Sequence, residues 1–146
     1  MKITICGSIT NAKKIPEIKA ELENQGHTVF SHKLMKMYAE EDQETIKRVK
    51  EAQYELKMEN DTFKWYYNKI KESDAILVCN FEKNGIPGYI GGSVLMEIGY
   101  AYVLDKKIYF LNPIPEVGYK DELIAAQPVV INHNLTQIKW QKLTWF

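Results

Sequence analysis

Apolar positions along the chain follow two alternating patterns, short unbroken runs and longer stretches with helical spacing. Ile3-Thr4-Ile5-Cys6 opens the series as a strand that stops at Gly7-Ser8. Ile15, Ile18 and Leu22 then share one face of a helix that Gly26 ends. Thr28-Val29-Phe30 reads as a short second strand. Residues 37–58 are mostly charged and favour helix, but carry no apolar stripe wide enough for a core helix. That segment is either a solvated helix or a mobile cover. From about Thr62 to Glu72 a further helix places Phe63, Tyr66, Tyr67 and Ile70 on an inner face.

The run Asp74-Ala75-Ile76-Leu77-Val78-Cys79-Asn80 is continuous rather than alternating, the pattern of a strand covered on both faces. A loop with Gly85, Pro87 and Gly88 leads to an apolar helix over roughly 93–104. Lys107 to Leu111 gives a fourth strand, Asp121 to Ala126 a short helix, and Val129-Val130-Ile131 a fifth strand. Alternation of strand and helix predicts an α/β fold of the flavodoxin-like (Rossmann-like) type, as one domain over residues 1–146. Its five-stranded parallel sheet is expected in the order 2-1-3-4-5, with helices on both faces. The aromatic tail, Trp140, Trp145 and Phe146, is expected to dock on the body or on a second subunit.

Composition narrows the partners. A chain of 146 residues suits one core, and its 19 basic and 19 acidic residues cancel. Such a balance lacks the basic footprint of a binder of polymeric nucleic acid. No apolar run approaches the roughly 20 residues of a membrane span, so no membrane partner is expected. The opening segment is too short to read as a secretory signal. Cys6 and Cys79 have no metal-type spacing, and read as core residues of a reduced compartment in preference to a disulfide. The expected location is cytoplasmic. His27, His32 and His133 are scattered, so neither a metal nor a cofactor is expected. Walker A, G-x-S-x-G and H-E-x-x-H patterns are all absent.

In parallel sheets of this kind, ligands bind beyond the carboxyl ends of the strands, at the topological switch. Here the strands end in Gly7-Ser8, Ser31-His32, Asn80, Asn112 and Asn132-His133. Gly7 and Ser8 could offer N–H groups and a hydroxyl to a phosphate, or simply form a turn and helix cap. Gly91, Gly92 and Ser93 have the same two readings, with Ser93 as the expected N-cap. Asn80 and Asn112 complete the candidate ligand-binding set. Glu97 stands apart, a carboxylate inside an apolar helix. With Ser93 as N-cap the capping-box position falls on Met96, and the helical neighbours of Glu97 include no cation. It is expected to have a raised pKa or to hydrogen-bond a ligand hydroxyl.

The opening Ile5-Cys6-Gly7-Ser8-Ile9 resembles the first strand and loop of the 2'-deoxynucleoside 5'-monophosphate N-hydrolases. Ser73 to Val78, Met96-Glu97-Ile98-Gly99-Tyr100-Ala101 and Lys106-Lys107-Ile108 resemble the wider nucleoside 2-deoxyribosyltransferase superfamily. That resemblance implies cleavage of the N-glycosidic bond of a (deoxy)nucleoside or its 5'-monophosphate, by hydrolysis or base transfer. Glu97 matches the nucleophile, and Ser8 a hydroxyl of the phosphate site. The family usually has an aspartate where Tyr66 stands, and the transferases another where Gly91 stands. A first-strand aromatic hydroxyl is replaced by Thr4, and two glycines before the glutamate by Ser93 and Leu95. Tyr66 is thus the remaining catalytic candidate beside Glu97. The implied partners are a small nucleoside or nucleotide and a second copy of the chain, in a homodimer or higher homo-oligomer. The alternative is a non-catalytic nucleotide-binding or sensor protein of the same fold.

Overall fold

The structure, a computed structural model, describes residues 1–141. Five strands form one parallel sheet: β1 (Lys2–Cys6), β2 (Thr28–Phe30), β3 (Ala75–Val78), β4 (Lys107–Phe110) and β5 (Val129–Val130). Their order is β2-β1-β3-β4-β5, as the alternation predicts. The chain steps outward from β1 to β2 and then crosses back to β3 on the other side. The switch point therefore lies between β1 and β3, which pair from Ile3 with Ala75 to Cys6 with Val78.

Among the described residues, six helices connect the strands: α1 (Ile15–Asn24), α2 (Lys33–Ala39), α3 (Gln43–Glu59), α4 (Thr62–Glu72), α5 (Gly92–Val103) and α6 (Lys120–Ala125). A 3-10 turn, Ile9–Lys14, precedes α1, whose start is set by Pro16. Strand side chains alternate between two cores. Ile3, Ile5 and Leu77 pack with Ile15 and Leu22 of α1 and with Leu135 and Ile138 after β5. On the opposite face Ile76, Val78 and Phe110 pack with Ile70 of α4 and with Val94, Ile98 and Ala101 of α5. Phe110 is fully buried there, a burial that stabilises the sheet by about 2–3 kcal/mol. Cys6 belongs to this second core and Cys79 to the first, so the sheet separates the two free thiols.

The inner face expected for α4 is corrected in part. Tyr66 and Ile70 are buried, whereas Phe63 and Tyr67 are 45% and 38% exposed. Residues 37–58 enter α2 and α3, and α3 breaks at Ala52, where φ is −157° and ψ is 62°. Trp140 is exposed, so it does not dock on the body, the first of the two places expected for it; Trp145 and Phe146 lie outside the described residues. Among the described residues, no helix is long and apolar enough to cross a membrane.

Candidate functional site

Beyond the carboxyl ends of β1 and β2 lies a cavity of about 380 Å³. Its lining gathers Gly7 and Ser8 after β1, His32 after β2, and Tyr66 from α4. The start of α5 supplies Gly91, Gly92, Ser93 and Glu97, and α3 closes it over with Val49, Gln53, Leu56 and Lys57. The structure thus brings together seven of the residues expected from the sequence: Gly7, Ser8, Tyr66, Gly91, Gly92, Ser93 and Glu97. Close packing of the strand exits explains the first glycine. A Cβ on Gly7 would come within 3.3 Å of the Cys79 carbonyl oxygen.

The helix start differs from expectation. Gly91, not Ser93, is the N-cap of α5, and no side chain caps this end. The first N–H groups of the helix have no intrahelical acceptor and belong to the pocket wall. Ser93 is therefore released from capping, and its hydroxyl accepts a hydrogen bond from Lys57 Nζ at 2.6 Å. Ser8 is also free of capping duty. Its hydroxyl lies 2.9 Å from that of Thr10 and accepts from Lys83 Nζ at 3.4 Å.

Glu97 forms the floor and is 5% exposed. Burial pushes its carboxyl up to about 8, with the Cys6 thiol and the Lys57 ammonium pulling in the opposite direction. Burial likewise raises the Tyr66 phenol well above its ordinary value, helped by the charge of Glu97 and by Cys6. The Cys6 thiol is raised for the same leading reason. Tyr66 is therefore a protonated hydroxyl at neutral pH, able to donate a hydrogen bond but poor as a proton donor.

His32, Lys57 and Lys83 are pocket residues that sequence reasoning did not assign. His32 is buried, and its Nδ1 accepts from the Leu34 N–H at 3.0 Å, which leaves Nε2 to carry the proton of the neutral ring. Burial, then the neighbouring Lys33 charge, lowers its pKa. The ring stacks on Tyr66 at 5.9 Å and meets Trp65 edge-on at 4.6 Å. A polar residue at a strand exit was its sequence signal. Lys57 had none, because its place depends on the break in α3.

Asn80 and Asn112 are not part of this cavity. Asn80 donates from Nδ2 to the Asn112 and Pro113 carbonyl oxygens at 2.8 and 3.2 Å, while its Oδ1 accepts from the Asn112 N–H at 2.9 Å. Asn112 returns a bond to the Asn80 carbonyl at 3.0 Å, and its own Oδ1 lies 2.8 Å from His133 Nε2. These amides tie β3 to β4 and face no ligand space. Gly88 closes the same region: its φ is +68°, and a Cβ would fall 2.5 Å from the Pro113 oxygen. A wider groove between α1 and α2 is lined by Lys13, Lys19, Lys36 and several glutamates. These lysines pair with Glu41, Glu23 and Glu40, while Lys33 on the same lining belongs to no ion pair among the described residues. Among the described residues, no group of three or more His, Cys, Asp or Glu side chains is placed to hold a metal ion.

No protein-family model matches the chain, and no curated protein matches it in sequence. Among solved structures, that of the Clostridium botulinum CMP N-glycosidase BcmB is similar, with a TM-score of 0.50 over 90% of each chain. The two are 15% identical, so the likeness is one of fold. The class is a flavodoxin-like α/β protein, the fold expected from the alternation of strands and helices.

Proposed function

We propose that this protein cleaves the N-glycosidic bond of a (deoxy)nucleoside or its 5'-monophosphate, with Glu97 as nucleophile. The observation that carries the reading is a buried carboxylate on the floor of a ligand-sized cavity, beside the switch point of the sheet. The CMP N-glycosidase of like fold supports the same substrate class. Glu97 would attack the anomeric carbon from below while the bond to the base breaks and its electron pair leaves with the base nitrogen. The developing oxocarbenium charge is stabilised by the same carboxylate. Water then hydrolyses the glycosyl ester, or a second base displaces it. The Ser8 and Lys83 end is suited to a phosphate, and the Tyr66 and His32 wall to the base or sugar, with His32 Nε2 and the Tyr66 hydroxyl as hydrogen-bond donors.

A second reading, a non-catalytic nucleotide sensor, is favoured by one observation. Among the described residues that line the cavity, Glu97 is the only carboxylate, so none of them offers an acid partner for the leaving base. Incubation with each nucleoside and its 5'-monophosphate, followed by chromatography of free bases, divides the two readings. Release of a base supports the enzyme. Thermal stabilisation by a nucleotide without release supports the sensor. Self-association is part of the proposal, supported by Phe63, Met96 and Val103, which are exposed on α4 and α5. Sedimentation of the purified protein tests it.

A further inference from the structure

A nucleophile must be charged, and a carboxyl that titrates near 8 is mostly protonated at pH 7. What faces Glu97 therefore decides whether it can attack. From β1 comes the Cys6 thiol and from α4 the Tyr66 phenol, both neutral because burial raises them. His32, at the exit of β2, lines the same cavity and is held neutral by burial. Lys83 stands at the other end, on Ser8. Among the described residues, only α3 sets a cation against the carboxyl, through Lys57.

The geometry of α3 explains how it does so. At Ala52 the helix breaks, and the part that follows turns back over the cavity. Arg48 spans the break and donates to both Glu59 oxygens, at 2.8 and 2.5 Å. Eleven residues of straight helix would separate this pair by about 16 Å, so the clasp records the fold-back directly. Leu56 is buried on the same segment and presses it down. Next to it, Lys57 Nζ donates to Ser93 Oγ at 2.6 Å. Ser93 and Glu97 are one helical turn apart on one face of α5, so an ammonium on the first stands beside the second. Lys57 belongs to no ion pair among the described residues, which leaves its charge directed at Glu97.

We propose that Lys57 is a positioning residue for Glu97: the folded-back end of α3 lays its ammonium over the Ser93–Glu97 face of α5 and favours the ionised, attacking form of the carboxyl against the burial that opposes it. The role assigned to the ion rests on the nucleophile reading, whereas the electrostatic coupling does not.

The test is a titration of the Glu97 carboxyl carbon by NMR in protein labelled at glutamate, with Glu97→Gln assigning the signal. Wild type is expected to titrate near 8. Lys57→Met should raise the midpoint by about one pH unit, and Lys57→Arg should restore it. If base release is seen, kcat/KM of Lys57→Met should fall about tenfold at pH 7 and approach wild type at high pH, a recovery that a structural defect would not show. An unchanged midpoint in folded Lys57→Met overturns the proposal. Should that variant not fold, Lys57→Gln against Lys57→Arg makes the same comparison. Absence of base release from wild type would instead remove the glycosidase reading and leave the titration as the test of Lys57.

Discussion

On one side of the switch point, the exits of β1 and β2 open into a cavity; on the other, the exits of β3 and β4 are laced together by side-chain amides. Both halves present the same residue types, small and polar, at equivalent places in the sheet. They differ in what satisfies those groups. In the closed half Asn80 spends its amide on the backbone of Asn112 and Pro113, so nothing is left to recognise a ligand. In the open half the hydroxyls of Ser8 and Ser93 do no capping and face lysines, and a carboxylate lies beneath them. A polar strand exit thus marks where a ligand can bind, and the hydrogen-bond account decides whether it does.

The comparison has measurable consequences, the largest on the open side. Glu97 has an ordinary value of 4.5 and a folded value of about 8, so the folded state holds an extra proton between them. Its contribution is therefore full below about 4.5 and is lost as pH rises through about 8. Between pH 5 and 9 the wild type should lose stability on the order of 4 kcal/mol, and Glu97→Gln should remove that slope. Urea midpoints across pH check this. A smaller effect belongs to the closed side. Asn80→Ala strips partners from the Asn112 N–H and two carbonyl groups, and should cost about 1–3 kcal/mol at all pH values. Its nucleotide affinity should change less than that of Ser8→Ala, measured by calorimetry. The smallest expected change is in the cover. Glu59→Gln breaks the exposed clasp to Arg48, and should weaken nucleotide binding modestly with little change in thermal midpoint.

How much of this was legible in the sequence depended on the range of the interaction concerned. The continuous run at Ala75 to Val78 and the spacing of Ile15 and Leu22 are local patterns, and the fold followed from them. Glu97 was legible because an acid in an apolar helix conflicts with its own neighbourhood. The rest was not local. Capping by Gly91 instead of Ser93 depends on the path of the loop before α5, and it changes the use of the Ser93 hydroxyl. The lock between Asn80 and Asn112 joins groups 32 positions apart, so neither residue could be read as structural. Lys57 reaches Ser93 across 36 positions and only because α3 turns at Ala52, a break for which the charged stretch 37–58 offers no glycine or proline.

The central claim is that the carboxylate in the open half does the chemistry, and one rate comparison tests it most directly. Base release from the best nucleoside 5'-monophosphate should be measured for wild type and for Glu97→Gln, at pH 8 and with folding of both verified. The account predicts release by wild type and a loss of about a thousandfold or more in the variant, since the amide can neither form the glycosyl ester nor balance the oxocarbenium charge. Release at the wild-type rate by Glu97→Gln would contradict it.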